Sequence, residues 1–310
     1  MPWYGPVFWP YAYSDIFDYT FWPDGYDDGY WAYAYDDFFD GVFWGQDGPP
    51  EAYAYAAPGG EEQQPAASQA GINELCGEPG GGVTAWPFAD ITKAVSPTPE
   101  QQALLDDVKS AAQKAVDVFK ASCPSPNAYP LTPPGRLRAM MARLLATLEA
   151  VQTVRPPLEK FYDSLTDEQK ARFNDVGPKQ AVTAQNAERA TTAQAPAAET
   201  NDCKQPKPGL SNLPIDRIEK IVKPTDEQED GLSSLEDATN KAVGVMQAAC
   251  PDDTPLTPVG RLDVMSKRLQ AMIDAAKIVE SPLDDFYASL NNEQKARFNK
   301  LGREVAQKSE

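Results

Sequence analysis

Four cysteines, Cys76, Cys123, Cys203 and Cys250, carry the most versatile chemistry in this chain, and 47 residues separate the members of each successive pair. Thiols at regular spacing can hold a metal, attack an electrophile or pair with each other. Histidine is absent, which removes the commonest general base, the usual activator of a nucleophile and the favoured companion of cysteine in structural zinc sites. Triad chemistry is therefore excluded, and two cysteines per pair without histidine argue against zinc. The carboxylates of "DDFFD", Asp36 to Asp40, could approach a divalent cation, but no ordered loop surrounds them and we read them as charge. The glycine run Gly80 to Gly82 follows no strand pattern and opens no helix, so it is not a phosphate loop. Neither an enzyme nor a cofactor site is expected.

The cysteine spacing is one sign of a duplication. "SLTDEQKARFN" (164–174) returns as "SLNNEQKARFN" (289–299), "WPFADITKAVSPTPEQ" answers to "LPIDRIEKIVKPTDEQ", and "LTPPGRL" to "LTPVGRL". The copies run from about 72 to 177 and from about 199 to 305. A linker rich in Ala, Gln and Thr (178–198) joins them. Four cysteines allow three connectivities, and duplication selects one bridge inside each copy, Cys76 to Cys123 and Cys203 to Cys250. A loop of that size restricts the unfolded chain by about 4 kcal/mol in the entropy account. Four buried free thiols are the alternative.

Apolar spacing inside each copy is helical throughout, with no competing strand pattern. Leu104, Val108, Ala111, Ala115 and Val118 recur at three- and four-residue steps, as do Leu235, Ala238, Ala242 and Val245. A longer helix follows, with the seam Leu137, Met141, Leu144, Leu148 and Val151, repeated as Leu262, Met265, Leu269, Met272 or Ile273, and Ala276. Pro157 and Pro282 are expected to interrupt it before a last segment carrying Phe161 or Phe286.

Helix starts are marked by a Thr-x-x-Gln device. The hydroxyl of Thr98, Thr166 or Thr225 can cap a first turn while Gln101, Gln169 or Gln228 reaches back to the cap's own N–H, and Asn291 with Gln294 can do the same. Thr132-Pro133 and Thr257-Pro258 open the longer helices, with proline at the favoured first position. One further pattern suits binding. Arg136 and Arg143 are seven apart and return as Arg261 and Arg268, beside Met140, Met141, Met265 and Met272. Flexible methionine flanked by arginine fits weak, unselective contact with partly unfolded segments; Leu and Met as core with a solvated Arg rim is the plainer reading.

Charge is unevenly spread. The chain has a net charge of −18, and Lys93 is its first base, so 15 of the 46 acidic residues stand alone before it. Nucleic acid is therefore not an expected partner. Residues 1–71 are an aromatic, acidic, low-complexity segment that we expect to be disordered. No apolar run reaches membrane-spanning length, and "MPWYGPVFWP" lacks the basic and apolar regions of an export signal. Paired cysteines nonetheless point to an oxidising compartment such as the periplasm; the two readings agree if this start lies downstream of the true one.

The boxes "TPEQ" and "LTDEQ", within a short all-helical unit that ends "SLTDEQKARF", resemble the LTXXQ-motif proteins, the Spy/CpxP-like envelope-stress family of Gram-negative bacteria. The two-Cys tandem arrangement with "CP…LTPxGRL" is similar to the alphaproteobacterial branch. The resemblance covers both copies and leaves out the aromatic N-terminus. It implies thin antiparallel helical hairpins that pair into a cradle and hold unfolded clients without ATP. With two units in one polypeptide, the cradle can form within a monomer; a homodimer is the other arrangement. The function so implied is a periplasmic holdase for unfolded envelope proteins. The alternative is a regulatory binder of an envelope sensor kinase or of a metal.

Overall fold

In the computed structural model, the described residues are 88–122, 132–174, 215–249 and 257–299. Among them every regular element is a helix. The first unit comprises α1 (Phe88–Val95), α2 (Pro99–Ala121), α3 (Pro133–Asp163) and α4 (Asp167–Asn174); the second repeats the series as α5 (Ile215–Val222), α6 (Asp226–Ala248), α7 (Pro258–Ser289) and α8 (Asn292–Asn299). The four cysteines, the segment 1–71 and the linker 178–198 lie outside the described residues.

Helix boundaries follow local chemistry. Thr132 caps α3 by accepting from the Gly135 amide at 3.2 Å, and Thr257 caps α7 by accepting from Gly260 at 3.1 Å. Proline follows each cap, where its missing N–H costs nothing. At the other end of the short helices, Ser96 (φ 48°) and Lys223 (φ 54°) adopt the left-handed conformation that stops α1 and α5. Their amides still donate to Thr92 and Glu219.

The expected break at the prolines does not occur. Helix α3 runs through Pro156 and Pro157, and α7 runs through Pro282. These rings sit on the exposed or half-exposed side, where solvent can satisfy the carbonyls that lose a donor. On the opposite side Leu158, Phe161, Leu283 and Phe286 are fully buried and hold each helix to its neighbour.

Packing puts α2 against α3, α6 against α7, and α3 against α7. Gln101, at the start of α2, bonds to Ser164 beyond the end of α3, while Arg143 on α3 bonds to Ser122 beyond the end of α2; the two helices are antiparallel. Helices α3 and α7 are antiparallel too, since Arg138 reaches Asp284 and Arg155 reaches Asp263. The two units therefore share one apolar core, with α3 and α7 in its middle. Small buried residues, Ala146 and Ala150 on α3 and Ala271 and Ala275 on α7, let neighbouring backbones approach closely.

Each long helix thus buries more than one stripe. The seam read from the sequence is present, with Leu137, Leu144, Leu148 and Val151 buried, but Met140 occupies the interior in place of Met141. On α2 the buried face holds Leu105, Ala112 and Val116 besides the expected Val108, Ala111 and Ala115.

Candidate functional site

The Thr-x-x-Gln boxes do more than cap. At the start of α2 the Thr98 amide donates to Gln101 Oε1 at 2.9 Å, and the Gln101 amide donates to Thr98 Oγ1 at 3.3 Å. The box before α4 repeats both bonds, from Thr166 N to Gln169 Oε1 (2.9 Å) and from Gln169 N to Thr166 Oγ1 (3.3 Å). These two boxes, far apart in sequence, meet. Gln101 Nε2 donates to Gln169 Oε1 and Gln169 Nε2 to Gln101 Oε1, both at 2.9 Å, forming a closed amide pair.

Each carboxamide is then saturated. Gln101 Nε2 also donates to the Ser164 carbonyl at 2.7 Å, and Gln169 Nε2 to the Val95 carbonyl at 3.3 Å. The pair is buried and joins the last residue of α1, the start of α2, the turn after α3 and the start of α4. Arg172 adds to this corner by donating from Nε to the Ala94 carbonyl at 2.8 Å, which places a cation at the C-terminus of α1, where the helix dipole favours it.

In the second unit Thr225 N donates to Gln228 Oε1 at 3.0 Å, and Asn291 and Gln294 exchange two bonds at 2.9 Å. Gln228 and Gln294 form the reciprocal pair at 3.2 and 2.7 Å. Their second donors go to the Ser289 and Lys223 carbonyls, and Arg297 Nη2 donates to the Val222 carbonyl at 2.9 Å. Beneath each corner, Phe173 stands edge-on to Phe161 with centroids 5.8 Å apart, and Phe298 to Phe286 at 5.7 Å. With both amide hydrogens and both acceptor sites used, a Gln pair has no free valence for a ligand. The corner is a structural tie.

The arginine–methionine stripe is placed otherwise than an open client surface requires. Arg136, Arg261 and Arg268 are buried, as are Met140, Met265 and Met272; Met141 and Arg143 are half-buried. The expected contact face therefore does not extend over the six buried side chains, and of these residues only Met141 and Arg143 reach its edge. The cause is the packing of α3 on both α2 and α7, which encloses the very helices that carry the stripe. Burial pushes the Arg143 guanidinium down to about 10, and its Nη1 donates to Ser122 Oγ at 2.7 Å. Tyr287 is pushed up by its own burial, opposed by a hydrogen bond with Asn299 and by the charge of Arg136.

Exposed apolar surface is scarce among the described residues. Leu145 is the large hydrophobic side chain that stands out, 48% exposed, one turn along α3 from half-buried Met141. No group of three or more His, Cys, Asp or Glu side chains is arranged to hold a metal among the described residues. Nor is any helix there long and apolar enough to cross a membrane.

Among the described residues, fold and corner together define a class: an all-α arrangement of two homologous units of four described helices, each closed by a pair of glutamines that follow a Thr or Asn cap. The profile described as "LTXXQ motif family protein" matches residues 83–177 and 211–302, more than half of the chain and once per unit. The chain belongs to the LTXXQ motif family. Leu165, Thr166 and Gln169 spell its motif in full, whereas the second unit has Asn291 for the threonine. Searches of curated proteins and of solved structures returned no match.

Proposed function

We propose that this protein is an ATP-independent holdase of the periplasm, which binds unfolded or stressed envelope proteins and catalyses no reaction on them. One observation carries the reading: α3 and α7 lie side by side within one chain, the two-hairpin arrangement that the Spy/CpxP-like resemblance requires for a cradle. Family membership supports the envelope setting. Client contact then falls on the surface edge of α3 at Met141 and Leu145, because the arginines and methionines deeper in the stripe are enclosed.

The experiment is suppression of aggregation of a chemically denatured enzyme by the full-length protein, without nucleotide, followed by light scattering. Near-equimolar protein is expected to hold the client in solution, and Leu145→Ser, at the exposed side chain, is expected to weaken this several-fold at little change in thermal stability. Scattering unchanged at a large molar excess of protein overturns the proposal. Cell fractionation with peptide mapping under non-reducing conditions tests the compartment: the protein is expected in the periplasmic fraction, with Cys76 joined to Cys123 and Cys203 to Cys250. A reduced cytosolic form removes this part of the reading.

A further inference from the structure

We infer that the facing edges of α3 and α7 form a charge-coded pairing surface, on which α7 accepts the first repeat and rejects a second copy of itself. The code appears when the two long helices are aligned. Between Thr132 and Asn174 the copies correspond at a shift of 125 residues, so that Arg136 matches Arg261 and Gln169 matches Gln294. Under that shift Arg138 becomes Asp263, Arg155 becomes Glu280 and Glu159 becomes Asp284. Two of the three positions reverse sign, in helices whose buried apolar positions largely correspond, Leu137 with Leu262 and Phe161 with Phe286 among them.

Those positions are at the contact. Arg155 grips both oxygens of Asp263, through Nε and through Nη2, the latter at 3.2 Å. At the other end of the crossing, Arg138 Nη1 lies 2.9 Å from each oxygen of Asp284. Asp263 and, after it, Glu159 hold the Arg155 guanidinium more firmly protonated than usual. Antiparallel pairing of like helices sets position 155 of one against position 138 of the other. Two second-repeat helices would therefore gather Asp263, Glu280 and Asp284 at each end with no arginine at these positions, whereas two first-repeat helices would set Arg155 near Arg138 but still offer Arg138 a carboxylate in Glu159, the counterpart of Asp284. Only the mixed pair brings Arg to Asp at both ends, where Glu280 and Asp284, one turn apart, offer Arg138 a carboxylate.

Like charges placed opposite one another are disfavoured, and such rejection is how closely related helices avoid wrong partners. The device has a consequence for association. A second copy of this chain docks on α7 through its first repeat, by exchange, and a second-with-second pair is disfavoured.

The test uses the full-length protein with fluorophores on bio-orthogonal residues replacing Lys109 and Lys241, exposed positions of α2 and α6, and reads energy transfer in a large excess of unlabelled protein. Arg138→Asp with Arg155→Asp makes both edges acidic, and Asp263→Arg with Asp284→Arg makes both basic. Each is expected to raise the ratio of separated to paired repeats on the order of tenfold at low salt, an effect erased in 1 M salt. Combining all four substitutions restores pairing within the chain, and mixing the acidic with the basic variant restores it between chains.

Unchanged transfer in both double variants overturns the inference, as does a fourfold variant that stays separated. Should either charge-reversed variant lose its helical circular dichroism, Arg138→Gln with Arg155→Gln is crossed with Asp263→Asn with Asp284→Asn. Coupling between the two sets supports the code, and strict additivity refutes it.

Discussion

Replacing Gln169 with leucine removes one half of the amide pair at nearly constant volume. Four hydrogen bonds disappear: two shared with Gln101, one from the Thr166 amide and one to the Val95 carbonyl. Gln101 is then left buried with one amide hydrogen and one acceptor site unmet. At about 0.5 to 1.5 kcal/mol net per bond, and with solvent able to reach the Thr166 amide, the loss comes to about 3 kcal/mol. It falls first on α1 and α4, which pack on each other and are too short to persist as isolated helices. Hydrogen–deuterium exchange of the Phe88–Val95 peptide is therefore expected to accelerate on the order of a hundredfold, with a lower urea midpoint for the unit. Gln169→Glu gives an independent check. Its carboxylate faces the Val95 carbonyl and Gln101 Oε1, so its folded-state pKa lies above the unfolded one, and the variant regains stability as the pH falls through that value. Wild-type exchange in α1 of the leucine variant, with the helical signal intact, would refute the tie.

The aromatic layer beneath the second corner should be costly to remove: Phe298→Ala deletes a fully buried ring stacked edge-on against Phe286 and is expected to cost about 3 to 5 kcal/mol in urea denaturation. A loss below about 1 kcal/mol would mean that the corner collapses to refill the space. Acid sensitivity has a defined origin as well. Glu100 and Glu168 lie below the usual carboxylate value of 4.5, because each carboxylate accepts from its own backbone amide and then from the hydroxyl of Thr98 or Thr166. Their contribution is present above the usual value and is lost as the pH falls through the lowered one. Melting temperatures measured from pH 6 down to pH 2.5 should decline less steeply in Glu100→Gln with Glu168→Gln than in the wild type; parallel declines would exclude these caps as the cause.

Much of the architecture could be read from the residues. Thr98, Thr166 and Asn291 announce helix starts because capping is a local interaction, complete within four residues. The doubled unit is visible because whole phrases recur. What escaped was whatever depends on encounters between distant segments. Two capping boxes 68 residues apart in number give no sign in their spacing that their glutamines will meet, since each is already explained by its own helix. Helix α1 carries only eight residues, too few for periodicity to stand out. The second buried face of α3 was hidden by its chemistry, because Ala146 and Ala150 are too small to form an apolar stripe that stands out and Arg136 is of a type mostly found exposed. The same concealment made Arg261 and Arg268 look like a solvated rim. Pro157 and Pro282 misled in the opposite sense, since a strong local breaker was outweighed by tertiary contacts on the far side of the helix.

Because the glutamines fasten the opening helix of a unit to its closing one, neither terminus can be trimmed without unbuttoning the other. A fragment lacking either end would leave half of a carboxamide pair looking for its mate. Each half of the chain accordingly carries the whole module, opening helix and closing phrase together.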